Sequence, residues 1–270
     1  MVCCRGVKLK KNLCFAGLLI CSVMSSANAE EDVPSVTPYR PTISNPAVLS
    51  RPGWLEVESG WINSTATDNS TRGSLPYTFK LAFTDSFGVM LGGEAFVNQV
   101  DTAGARTTGA GDTSLLLKNK WSVSENGVSA FGLEYGVISP TAQNGLGSGS
   151  GKTDYLINGI FSTDLSGNTI DLNVNVTELG NVLPDESSKL WGWAATWSTA
   201  LNDTWGIAAE FSGASRQGQD PNSQFLAAVN YATSKRVVWD AGFSSAINPL
   251  PGAMQWSVFG GVSVLVGQIF

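Results

Sequence analysis

The sequence predicts an all-β chain wound as a transmembrane up-and-down antiparallel β-barrel of about 12 strands. Three observations predict it. Side-chain polarity alternates almost without a break from residue 54 to the end of the chain, and period two is the spacing of a strand with two unlike faces. Short turns alternate strictly with longer polar connections, as in a membrane barrel and unlike a sandwich, whose crossovers mix the two. The chain also begins with an export signal.

That signal is residues 1–29. Arg5, Lys8, Lys10 and Lys11 form a basic start, an apolar run follows over 13–24, and Ala27 and Ala29 fill the small-residue positions of a cleavage site after Ala29. All four cysteines (Cys3, Cys4, Cys14 and Cys21) leave with it, which removes thiol and disulfide chemistry from the exported chain. Four of the 16 basic residues leave too, so 12 face 22 acids and the net charge moves from −6 to −10. No basic patch remains to neutralise phosphates, so no nucleic-acid partner is expected. Residues 30–53, EEDVPSVTPYRPTISNPAVLSRPG, form a proline-rich lead-in without periodicity, and the barrel is expected over 54–270.

Strands are predicted at 54–63, 75–84, 87–99, 112–123, 128–139, 154–164, 169–177, 190–200, 204–213, 224–232, 236–245 and 254–270. Tight turns fall at 85–86, 125–127, 166–168, 201–203 and 233–235, and longer connections at 64–74, 100–111, 140–153, 178–189, 214–223 and 246–253. One face carries the large apolar residues, as in LWGWAATW, where Trp191, Trp193 and Trp197 share a parity. The other face collects the charges together with many Gly, Ala and Ser residues. A charge facing lipid at mid-bilayer costs about 2–4 kcal/mol, so aromatics outside and charges inside is the arrangement a membrane barrel requires. The expected lumen-lining residues include Glu56, Glu58, Lys80, Glu94, Phe96, Asp112, Lys118, Lys120, Glu134, Glu210 and Asp240.

The last strand, MQWSVFGGVSVLVGQIF, ends on Phe270 with Val262, Val264 and Val266 on its face. It resembles the C-terminal signal read by the bacterial barrel assembly machinery, with Gln268 departing from the usual pattern.

The chain contains no histidine. That removes Ser-His and Cys-His nucleophile pairs, His-ligated zinc and His general bases. Glu56 and Glu58 share a face, but acidic lining is the simpler reading of such a pair. The stretch 145–153, GLGSGSGKT, looks like a phosphate loop yet fails its spacing and joins two strands. No catalytic residue, metal or cofactor is expected, and the chain is not expected to be an enzyme.

Nine inward acids against four inward bases favour cations mildly along any aqueous path. Beside them lie Met90, Leu116, Leu156, Ile160, Leu226, Val238 and Phe259. These either line a path for hydrophobic solutes or pack against residues 30–53 folded into the lumen as a plug. Twelve strands lie between filled eight-stranded barrels and open sixteen-stranded porins, so a narrow or occluded pore is expected.

Two stretches carry a family resemblance. Arg40-Pro41-Thr42 with 51–61, RPGWLEVESGW, and then 109–118, GAGDTSLLLK, resemble motifs of a bacterial outer-membrane family named for transporters of the phenol meta-cleavage degradation pathway. The likeness spans roughly 38–270. It implies an outer-membrane barrel that takes up aromatic or other hydrophobic solutes passively, and it supplies no catalytic residues. Asp112 and Lys118 match the motif, and their expected role is either a polar network across the lumen wall or a strand-register salt bridge with no part in transport. The expected partners are outer-membrane lipid, the barrel assembly machinery and small solutes. The alternative is a closed barrel with a structural or surface-recognition role.

Overall fold

The computed structural model describes residues 33–122, 124 and 128–270. The export signal with Ala27 and Ala29, and the turn residues 125–127, lie outside the described residues.

The strands are β1 (Trp54–Ala66), β2 (Thr71–Thr84), β3 (Phe87–Val100), β4 (Arg106–Gly109), β5 (Thr113–Ser122), β6 (Ser129–Ser139), β7 (Asp154–Leu165), β8 (Asn168–Glu178), β9 (Lys189–Ala200), β10 (Trp205–Arg216), β11 (Asn222–Ser234), β12 (Val237–Ala246) and β13 (Met254–Gln268). All pairings are antiparallel, and β13 pairs back onto β1. β4 pairs with the end of β3 and β5 with its beginning, so the two are pieces of one stave and the barrel has twelve staves. Closure matters because unpaired backbone groups cannot be satisfied by lipid.

Every predicted strand is present, and the largest differences lie at the loop ends. β1 and β2 run on until only residues 67–70 connect them. Asn69 takes φ 68° there, and the Asp68 carboxylate accepts the Ser70 N–H at 2.9 Å, a turn chemistry that Asp and Asn favour. The predicted strand 112–123 begins one residue later, at Thr113. Asp112 therefore sits in a break of the stave, at 110–112, and not on a strand.

Phe96 is a correction to the expected lumen lining. Leu75 pairs with Phe96 and Pro76 with Glu94, so Ala95 is an extra residue without an opposite number. This bulge reverses the parity of the rest of β3. Phe96 turns outward and is 40% exposed, while Val97 takes the inner position and is fully buried. Pro76 fits the place, because a residue with no N–H to give the ladder is tolerated within a sheet at a bulge.

The outer wall is apolar and aromatic. Phe131, Val174, Trp191, Trp239 and Phe243 are each more than 40% exposed. Phe131 faces Phe161 across β6–β7 and Phe211 faces Phe225 across β10–β11, with ring centroids 5.2 and 5.1 Å apart. Such opposed rings contribute about 0.5–1.5 kcal/mol each beyond their burial. Trp121, Trp197, Trp205 and Trp239 lie near the turn ends of their strands, and Trp191, Trp193 and Trp256 near the loop ends. Two aromatic belts of this kind suit the two interfaces of a bilayer. Phe270 stacks on the exposed Phe83 at 6.1 Å, beside the joint that closes the barrel.

Candidate functional site: the occupied lumen

The inner face is filled by the chain's own residues 34–52. This segment enters from the turn side, reverses over residues 42–45 about half-way along the strands, and returns to Gly53 to launch β1. Tyr39 ties its two limbs together by donating its hydroxyl to the Val48 carbonyl at 2.6 Å. Gly53 has φ 80°, a left-handed turn that glycine adopts freely.

A proline-rich segment has few partners of its own, so its backbone N–H groups must be satisfied by the wall. Carboxylates do most of this. Glu56 accepts from Thr37 N at 3.1 Å, and Glu58 from Tyr39 N and Arg40 N at 2.8 and 3.2 Å. At the apex Glu210 accepts from Ile43 N and Ser44 N at 3.2 and 2.8 Å, and also from Thr196 Oγ1 at 2.7 Å. Farther round, Asn173 accepts from Asn45 N at 3.0 Å and Ser162 from Ala47 N at 2.7 Å.

Side chains add charge to these anchors. Arg40 makes a two-pronged pair with Asp240, both contacts 3.0 Å, the strong geometry for a guanidinium on a carboxylate. Gly60 and Gly261 form the slot for it, since a Cβ on either would run into the guanidinium. Lys80 pairs with Glu56 at 3.0 Å and Glu58 at 2.6 Å, and donates to the Thr37 carbonyl. Lys118 pairs with Glu134 at 2.9 Å and donates to the Pro46 carbonyl at 2.6 Å. Between the two lysines lies the ring of Tyr39, its centroid 3.9 Å from Lys80 Nζ and 4.1 Å from Lys118 Nζ. Cation–π contacts of this kind contribute up to about 2 kcal/mol when desolvated. Glu134 accepts in addition from Asn45 and Asn158, so its buried charge is met on several sides, which is the condition for keeping it there.

The inward apolar residues pack on the same segment. Met90, Leu116 and Leu156 surround Tyr39, while Ile160 and Ala130 cover Ala47. The segment thus reaches side chains of β1 to β3, β5 to β10 and β12.

The other expected lining residues are elsewhere. Glu94 pairs with Arg72 at 2.7 Å near the loop end. Lys120 lines a cavity of about 260 Å³ at the turn end, beside Arg51, Ser50 and Asp85. Asp112 and Lys118 do not meet. Asp112 accepts from Ala142 N and Gly149 N at 3.2 and 2.9 Å, and so holds the loop 140–153 over the rim. Asp154 does the same for Ser150 N at 2.9 Å and Gly180 N at 2.8 Å. Leu146 of that loop is buried, and its carbonyl accepts from Arg72 at 3.1 Å.

Sequence reasoning missed Tyr39, Arg40, Asn45, Asn158, Ser162, Asn173 and Thr196. The available signals were the inward apolar residues and the excess of inward acids over inward bases, which calls for donors from outside the strands. The donors are the segment's own amides and Arg40.

The chain matches no protein-family profile and no curated protein sequence. Solved structures do match in fold. The NanC porin aligns with a TM-score of 0.55 at 10% identity, over 78% of this chain and 98% of that one. The CymD monoaromatic hydrocarbon channel gives 0.53 at 9% identity, covering 82% and 90%. The KdgM porin in complex with disordered oligogalacturonate gives 0.51 at 8% identity, covering 77% and 98%.

Proposed function

We propose that the chain is an outer-membrane channel for passive uptake of small hydrophobic or aromatic solutes, held shut here by residues 34–52. The observation that carries this reading is what fills the lumen. A small barrel is ordinarily filled by its own wall side chains, but this wall leaves room with many Gly, Ala and Ser residues, and its carboxylates and apolar side chains meet a separate segment that completes the packing. Take that segment away and an aqueous path remains. The apolar outer wall and the porin-like neighbours support the location. The motif resemblance to the phenol meta-cleavage family supports the solute class, and a monoaromatic hydrocarbon channel among the neighbours in fold agrees with it. On this reading residues 1–29 direct export, the strand bearing Val262, Val264, Val266 and Phe270 is read by the assembly machinery, and no enzymatic step is involved.

The breadth of the anchoring favours a second reading, a permanently closed barrel with a structural or surface-recognition role. Initial uptake of a labelled aromatic hydrocarbon by porin-depleted cells, with and without the protein, separates the two. A channel raises the rate. An unchanged rate with correctly assembled barrel leaves the closed barrel.

A further inference from the structure

On the loop side of the apex the lumen is not filled. A cavity of about 330 Å³ opens there, with Ile43 against it and β8 to β13 around it. That volume is at the small end of the range for small-molecule sites, about 300–1,000 Å³.

Its chemistry differs from the rest of the lumen. None of its lining residues is charged: Leu190 and Met254 are apolar, and Asn175, Asn222 and Gln224 bring amides. The cavity at the turn end, in contrast, is lined by Arg51, Lys120 and Asp85. Ile43 is 52% exposed, although Tyr39, Ser44 and Ala47 of the same segment are buried. Its backbone N–H is held by Glu210 at 3.2 Å, which fixes the apex beneath the cavity. A charged solute entering here would lose hydration and find no counter-charge, which is costly. An uncharged solute loses little and gains apolar contact and an amide partner.

We infer that this cavity is a binding site for small uncharged solutes carrying an apolar body and one hydrogen-bonding group, with Ile43 at the apex of the segment as its floor. An occupant touches the element that closes the lumen. As a step in uptake the inference rests on the channel reading; as a binding site it does not.

The test is calorimetric titration of the full exported protein in nanodiscs, with protein-free nanodiscs subtracted. The probes are cyclohexanol, cyclohexylamine and cyclohexanecarboxylate, one frame in three charge states. Saturable cyclohexanol binding is expected, with both charged probes at least about tenfold weaker because they are desolvated without a partner. Ala246→Trp, which fills the cavity from β12, should abolish binding. Ile43→Lys should weaken cyclohexanol and reverse the order in favour of the carboxylate. Equal binding of all three probes, no saturable cyclohexanol binding, or binding untouched by both variants overturns the inference. Saturable binding to a protein that takes up nothing would remove the channel reading and leave the site. Uptake without such binding would do the reverse.

Discussion

Two stretches of chain fold into this barrel, residues 34–52 from the turn side and the loop 140–153 from the loop side. Both are held by the same chemistry, buried carboxylates that accept backbone N–H groups. They differ in how the anchors are distributed. The segment's anchors are spread over nearly the whole circumference and include Lys80, Lys118 and Arg40, whose own charges must be met. The loop is pinned along one arc of the rim, by Asp112, Asp154 and the Arg72–Glu94 pair. Anchors on all sides make release a cooperative event, whereas anchors on one side let a loop peel away locally.

Removing one anchor from each region tests that difference. The largest loss is expected from Glu134→Ala, which strips the fully buried Lys118 of its carboxylate and Asn45 of its acceptor. An uncompensated buried charge costs about 3–5 kcal/mol, read as a lowered midpoint in chemical denaturation of the reconstituted barrel. Hydrogen exchange should speed up across amides 36–47 together and leave 142–149 as they were. Asp240→Asn comes next, because it breaks the two-pronged pair with Arg40. Hydrogen bonds to charged groups contribute about 1.5–3 kcal/mol, and the exchange pattern should match that of Glu134→Ala. Asp112→Asn keeps one acceptor oxygen, so it should cost about 1 kcal/mol and free one of the two amides, Ala142 or Gly149, without moving those of the segment. If it loosens both regions, they are one unit and the contrast is false. The smallest effect belongs to Tyr39→Phe, which loses only the hydroxyl bond to Val48, again about 1 kcal/mol, and keeps the ring between the lysines.

The wall was legible in the sequence because each residue reports its own face. Trp191, Trp193 and Trp197 alternate with small residues, and one parity rule places all of them. Phe96 escaped the rule because a bulge is an insertion, and parity cannot be carried across it. Pro76 marked the spot, yet its meaning depends on which residue of β3 lies opposite. The lumen was legible only as an imbalance of charge and as apolar residues such as Met90 and Ile160 without a visible partner. Which carboxylate meets which amide depends on contacts spanning 18 to 167 residues of chain, and no local pattern encodes them. Asp112 and Lys118 illustrate the limit: a shared motif and a shared parity placed them on one face, but the break in the stave gave Asp112 to the loop and left Lys118 to the segment.

Single-channel conductance of the reconstituted protein, with and without residues 30–52, tests the plug most directly. A plugged barrel predicts that the intact protein stays closed, or opens only in rare brief events, and that the truncated barrel shows discrete, sustained steps. Steps of equal size and duration in both forms would contradict it, as would silence from a truncated barrel shown to be folded.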